Sequence, residues 1–193
     1  MTQDMPLCAH CSMQTGGCCH TDAASVPYCF PLSEPEIDRL IPYAGFARTG
    51  PGQARVGGRE AVCVQEPNTP DFIATMQALF PEDKARVQRL FPQGGHHYRL
   101  PLLPASSEMA KNLMACAFLG PAGCCLPRQA RPCYCLLYPG WVQGKLVTLF
   151  QAKECLAAHG ATSPAQGLAR IGLSQRMVRE LFAKLKHDWG FAD

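Results

Sequence analysis

Residues 8–20, CAHCSMQTGGCCH, place four cysteines and two histidines close together at one end of the chain. Cys8 and Cys11 have the C-x-x-C spacing that lets one tight turn supply two thiolates to a tetrahedral metal site. Cys18 and Cys19 are adjacent, and adjacent side chains of an extended chain point to opposite faces. This second pair therefore supplies one ligand to a centre, or one ligand to each of two centres.

Clustered cysteines form disulfides, catalyse thiol–disulfide exchange or bind a metal. The first residues lack the basic segment and the apolar run of a secretory signal, which predicts a cytoplasmic protein with reduced thiols. The βαβ pattern of thioredoxin-like enzymes does not surround the C-x-x-C, which disfavours thiol–disulfide catalysis. The sequence contains no run of about 18 apolar residues, so we expect no membrane span. Metal binding is the leading interpretation.

The twelve cysteines fall into two groups. Five precede residue 30, six lie between residues 116 and 155, and Cys63 stands alone between the groups. We expect the fold to bring the two groups together around a metal, and Cys63 to be a small buried residue. Residues 116–141 are rich in Cys, Pro and Gly, so we expect an irregular loop that depends on bound metal for its order.

The second group of cysteines, residues 116–155, contains a recognisable motif in addition to its cysteine spacing. Its first part, CAFLGPAGCCLPRQARPCYCLLYPGW, contains the pair Arg131-Pro132 between cysteines. Together with C-x-x-C and C-C near the N-terminus and a last cysteine in KECLAAHG, this pattern resembles the YkgJ family, which is described as zinc- or iron-chelating. The resemblance covers about residues 8–41 and 116–160. It implies a set of eight cysteine ligands: Cys8, Cys11, Cys18, Cys19, Cys116, Cys125, Cys135 and Cys155.

The sequence departs from the family pattern in its first loop, where six residues separate Cys11 from Cys18, and at Leu136, where the family has arginine. Cys124 and Cys133 lie beside matched ligands and could substitute for them. Zn²⁺ and an iron–sulfur cluster such as [4Fe-4S] both accept all-cysteine ligation. The sequence leaves open which of the two is bound, and whether the ligands form one centre or two. It identifies no catalytic residue.

The remaining sequence predicts an α+β fold, mainly helical, with short strands and irregular cysteine-rich loops around a metal site. Residues 1–160 are predicted to form the cysteine-cluster metal-binding domain, and residues 161–193 a C-terminal helical tail. Apolar periodicity and capping residues predict helices at 34–41, 70–80, 81–91, 106–119, 151–160 and 174–189. Strands are predicted at 60–66, 96–103 and 144–150.

Two other functions remain open from the sequence. An iron–sulfur centre could support catalysis or electron transfer. Residues 168–186 resemble a helix–turn–helix, as in a metal-sensing DNA-binding regulator that uses the C-terminal helix. An amphipathic basic helix is more often a packed helix with a solvated face, and the net charge of +3 is modest, so we expect no nucleic-acid partner. His96 and His97 are expected to be partly exposed strand residues.

Overall fold

The computed structural model of the protein describes residues 19–50, 57–105, 112–150 and 155–191. Within these ranges the chain forms seven α-helices: α1 Glu34–Leu40, α2 Arg59–Val62, α3 Pro70–Leu79, α4 Lys84–Leu90, α5 Cys133–Leu137, α6 Pro164–Arg170 and α7 Gln175–Asp188. Short 3₁₀ helices cover Ala23–Tyr28, Ile41–Phe46 and Arg128–Ala130. Among the described residues, no helix has the length and apolar character needed to cross a membrane.

Nine short strands accompany the helices in the same ranges: β1 His20–Asp22, β2 Val64–Pro67, β3 His96–Arg99, β4 Leu102–Pro104, β5 Leu113–Cys116, β6 Leu119–Gly120, β7 Gly123–Cys124, β8 Gly140–Gln143 and β9 Leu146–Leu149. β1, β5 and β4 form a three-stranded antiparallel sheet in that order. The other strands form three antiparallel pairs, β2 with β3, β6 with β7 and β8 with β9. Helices and strands are mixed along the chain, which confirms the predicted α+β class.

A buried carboxylate fixes the start of α1 at its N-cap, Ser33. Glu36 is 2% exposed, and its Oε2 accepts hydrogen bonds from the Ser33 N–H at 2.9 Å and the Ser33 hydroxyl at 3.0 Å. Its Oε1 accepts a third hydrogen bond, at 2.7 Å, from the N–H of Cys133 at the start of α5. One side chain therefore joins the starts of two helices that are distant in sequence.

The larger cluster of buried side chains, which we call the aromatic core, joins α3, α4, α5 and α7 to the β8–β9 hairpin. Phe80 lies near its centre, with its ring centroid 5.5 Å from that of Trp141 and 5.6 Å from that of Trp189. Val178 and Leu185 of α7 are fully buried in the same cluster. The main helix of the segment predicted as a tail thus packs against the middle of the chain.

A second core cluster lies between α1, α2 and the chain that follows β5. Ile37 and Leu40 of α1 meet Val62 of α2, Phe118 and Leu126, and all five side chains are at most 2% exposed. Residues 117–126 lie in the stretch predicted as an irregular loop, yet part of it is buried against a capped helix. The second core therefore anchors the chain that carries Cys124 and Cys125.

Several local predictions differ from the structure. Residues 113–116 form a strand rather than part of a helix, because backbone pairs on both sides hold β5 in the middle of its sheet. Residues 106–111 of that predicted helix lie outside the described residues. Arg59–Val62 is helical, so only Val64–Pro67 of the predicted strand is extended. Residues 156–160 form turns, and α5 lies within the predicted loop.

Candidate functional site

The three-stranded sheet brings the two cysteine groups together. Its antiparallel register pairs His20 of β1 with Ala115 of β5. Cys19 precedes His20 and Cys116 follows Ala115, so these two cysteines lie opposite each other. The N–H of Cys116 donates a hydrogen bond to the carbonyl oxygen of Cys19 at 2.8 Å. On the other side of β5, Leu102 is the partner of Cys116. Because cross-strand partners project from the same face, one cysteine from each group lies in the same wall.

A cavity of about 620 Å³, which we call the thiol cavity, lies against this wall. Cysteines from both ends of the chain line it: Cys19, Cys29, Cys116, Cys124 and Cys135. Three of them, Cys19, Cys116 and Cys135, belong to the predicted ligand set. Cys29 and Cys124 fall outside that set, and only Cys124 had a signal in the sequence, since it is adjacent to a matched cysteine.

Cys29 follows a 3₁₀ helix whose N-cap is Asp22. The Asp22 carboxylate accepts hydrogen bonds from the Ser25 N–H at 2.9 Å and the Ser25 hydroxyl at 2.6 Å. The next residue, Phe30, stacks on Tyr134 with ring centroids 4.2 Å apart. These contacts place the Cys29 side chain in the cavity wall, where burial raises the pKa of its thiol.

The β6–β7 hairpin gives the adjacent residues Cys124 and Cys125 different environments. Cys124 lines the cavity, whereas Cys125 is exposed and lies over Gly120. A Cβ on Gly120 would be 2.6 Å from the Cys125 sulfur, so a larger residue at this position would make the exposed Cys125 side chain move. Arg131 holds the hairpin through backbone carbonyls, with Nε donating to Leu126 at 3.0 Å and Nη2 to Cys124 at 3.5 Å. The predicted ligand Cys125 is therefore not part of the described cavity lining.

Cys133 and Cys135 are two positions apart on α5 and have different environments. Cys135 is exposed and lines the cavity, whereas Cys133 is 1% exposed and belongs to the aromatic core. Burial, and secondly the charge of Glu36, raises the pKa of Cys133 to about 12. The Cys133 thiol is therefore protonated at neutral pH and acts as an apolar side chain.

Cys155 is the remaining predicted ligand among the described residues. Cys155 is buried and is not among the described residues that line the cavity. Its carbonyl oxygen accepts hydrogen bonds from the N–H groups of Ala158 and His159, at 3.0 and 2.8 Å, in a turn. The first three predicted ligands are outside the residues that the structure describes, and their role stays a prediction: Cys8, Cys11 and Cys18.

The described thiols line the cavity wall without converging on one point. Within the described ranges, no three cysteine sulfurs lie within 4.8 Å of one another. The ligand group that does meet this criterion there is Glu36, Cys133 and Asp188. Its carboxylates already have hydrogen-bond partners, since Asp188 accepts from Arg39 at 3.1 Å and from Lys184 at 2.8 Å. This group is a buried polar network that joins α1, α5 and α7.

The chemistry of the cavity suits a thiophilic metal. Thiolates are the ligands of structural zinc and of iron–sulfur clusters. Arg128, Arg131 and Arg170 also line the cavity, whereas its described lining contains no aspartate or glutamate. Positive charge near a cysteine favours the thiolate, which is the form that binds metal.

His20 and His97 lie at positions where burial lowers the pKa of the imidazole ring. His20 lines the cavity, and its Nδ1 is buried without a hydrogen-bond partner in the described structure. Burial lowers the pKa of His20, which keeps the ring in the neutral form that binds metals. His97 is 3% exposed and stacks on Phe72 at 3.8 Å, and burial lowers its pKa to about 4. The prediction of partial exposure is wrong for His97, whereas the neighbouring His96 is exposed.

Comparison of the chain with models of protein families, with curated proteins and with solved structures gives no match. The function of the protein is therefore inferred from its cysteine pattern and from the geometry of the thiol cavity.

Proposed function

We propose that the protein binds a thiophilic metal, either Zn²⁺ or an iron–sulfur cluster, in the thiol cavity. The observation that carries this proposal is that cysteines from both ends of the sequence line one cavity. The resemblance to the YkgJ family supports it, because that family is described as zinc- or iron-chelating and its pattern includes Cys19, Cys116 and Cys135.

The proposed ligands differ in their support. Cys19, Cys116 and Cys135 match the family pattern and also line the cavity. Cys29 and Cys124 are candidates from the cavity alone. The other members of the predicted set rest on the sequence pattern: Cys8, Cys11, Cys18, Cys125 and Cys155.

Metal binding in this cavity requires proton release. Thiols must lose their protons to become ligands, so metal affinity falls at low pH. Burial raises the pKa of Cys29, so its ligation would release a proton at neutral pH. The bound metal would supply the positive charge that holds several thiolates together, and the three cavity arginines would add to it.

Anaerobic purification followed by metal analysis tests the proposal. Zinc or iron bound in stoichiometric amounts is expected, and a brown colour from thiolate-to-iron charge transfer identifies a cluster. Cys116→Ser should lose most of the metal. Cys63→Ser is the control, since Cys63 is a buried cysteine outside the cavity lining, and its thiol donates to the Arg59 carbonyl oxygen at 3.4 Å. Equal metal content in the two variants would contradict the ligand assignment.

Metal removal provides a second test. Chelation or thiol oxidation of the metal-bound protein should expose residues 119–125 to protease before it affects α7, whose apolar face is buried in the aromatic core. Cleavage that begins in α7, or that does not change on metal removal, would argue against a metal held by this hairpin.

A DNA-binding role is not proposed, because basic side chains of α7 have partners within the protein. Arg179 donates to the Lys145 carbonyl at 2.7 Å, and Lys186 pairs with Asp83 at 2.7 Å. Such side chains would have to leave these partners to contact phosphates.

A further inference from the structure

The thiol cavity is larger and more apolar than a metal centre requires. Its volume of about 620 Å³ falls within the range of roughly 300–1,000 Å³ that is typical of small-molecule sites. The rings of Phe30 and Tyr134 lie in its wall, stacked on each other. Seven leucine and isoleucine side chains add to the apolar lining, among them Leu102, Leu126 and Leu136.

The same cavity carries positive charge without a matching negative charge. Of its three arginines, none forms a salt bridge with a carboxylate in the described part of the chain. Arg131 and Arg170 donate to backbone carbonyls, which satisfy their N–H groups but leave the charge in place. Arg128 is exposed, and its guanidinium has no hydrogen-bond partner among the described residues.

We propose that the thiol cavity binds an organic anion that has an apolar body and one carboxylate or phosphate group. The aliphatic wall removes the apolar body from water. The guanidinium of Arg128 pairs with the oxyanion, since its planar fork matches the oxygen geometry of both groups. This ligand goes beyond the proposed metal, because neither the aliphatic wall nor Arg128 is a metal ligand.

Titration of the reduced full-length protein separates the contributions of charge and apolar surface. The probes are octanoate, octyl phosphate and 1-octanol, and calorimetry measures the affinity and stoichiometry of each. We expect one anion per chain, bound at least about tenfold more tightly than octanol, which is the effect of one hydrogen bond to a charged group. Whichever of the two anions binds more tightly shows whether the site prefers a carboxylate or a phosphate group. Equal affinity for octanol, or no binding of either anion, would overturn the proposal.

Arg128→Gln tests the assigned residue, and Arg89→Gln is its charge-matched control. Arg89 is exposed on α4 and does not line the cavity. We expect the Arg128 variant to bind the preferred anion about tenfold more weakly while octanol affinity and melting temperature stay unchanged. The Arg89 variant should bind as the wild type does. Equal loss in both variants would mean that general surface charge attracts the anion, and would refute the assignment.

The same samples separate this proposal from the metal proposal. Each titration is made on protein as purified and on protein treated with a chelator, with metal content measured alongside. Bound metal without anion binding would refute only the anion site. Anion binding in protein that never contains metal would refute only the metal function. If Arg128→Gln lowers metal content but leaves anion affinity unchanged, the arginine serves the metal centre and the anion proposal is wrong.

Discussion

Replacing Glu36 with glutamine tests whether one buried carboxylate positions both α1 and α5. The carboxylate accepts hydrogen bonds from two groups of Ser33 on one oxygen and from the Cys133 N–H on the other. Glutamine keeps the shape but replaces one oxygen with an NH₂ group, which is a donor. In either orientation of the amide, a donor then faces a buried donor.

The magnitude follows from the number of hydrogen bonds affected. A hydrogen bond to a charged group contributes about 1.5–3 kcal/mol, and a buried donor left without a partner costs about 1–3 kcal/mol. We therefore expect Glu36→Gln to lower the free energy of unfolding by about 2–4 kcal/mol. For a chain of this size, each kcal/mol lowers the melting temperature by about 2–4 °C. Urea unfolding followed by far-ultraviolet circular dichroism, at matched metal content and under reducing conditions, measures the loss.

Glu34→Gln is the control, since it makes the same substitution two positions away on the same helix. Glu34 pairs with Arg59 at 2.7 Å, but the two side chains are 64% and 38% exposed. Exposed ion pairs contribute about 0–1 kcal/mol, so this variant should be nearly as stable as the wild type. If both variants lose the same small amount, Glu36 does not connect the two helices in the way we infer.

Two further predictions concern buried positions. The pKa of His97 is about 4 in the folded protein, below its unfolded value, so the unfolded state takes up a proton first as pH falls and stability decreases from about pH 6.5 towards pH 4. His97→Gln should remove this part of the pH dependence of the unfolding free energy, whereas His96→Gln should retain it; identical profiles would contradict the assignment. Gly140→Ala should destabilise the protein by about 1–3 kcal/mol, because the new methyl would lie 2.9 Å from the buried Leu168 side chain and 3.1 Å from the Leu137 carbonyl oxygen, and chemical denaturation measures this loss. Gly45→Ala, which meets no atom within 4 Å, is the control, and an equal loss there would exclude the proposed clash as the cause.

Helix starts could be predicted from the sequence because their signals are local. Ser33, Thr69 and Ser174 each begin a helix at the predicted position, and the latter two side chains accept hydrogen bonds from the backbone three residues further on. The strand at 113–116 could not be predicted in this way. Its residues are compatible with a helix, and only its two neighbouring strands make it extended.

At the candidate site, too, some features could be predicted from the local sequence, whereas others depend on the tertiary fold. The cysteine pattern predicted that the two groups would meet, and Cys19 and Cys116 do lie side by side. Spacing along the chain does not determine which side of a hairpin faces a cavity. The family pattern matched Cys125, which is exposed, and left Cys124, which lines the cavity, as a possible substitute; it gave no reason to select Cys29.

The packing also changes what we expect a bound metal to contribute to the order of residues 116–141. Phe118 and Leu126 are buried in the second core, and Leu137 and Trp141 in the aromatic core. Full burial of such a side chain contributes about 1.5–3 kcal/mol, so these four together approach the about 10–16 kcal/mol that structural zinc supplies to small peptides. The segment is thus anchored in both cores by its own side chains. A bound metal would act mainly on the hairpin that carries the paired cysteines, which is why we expect metal removal to expose that hairpin first.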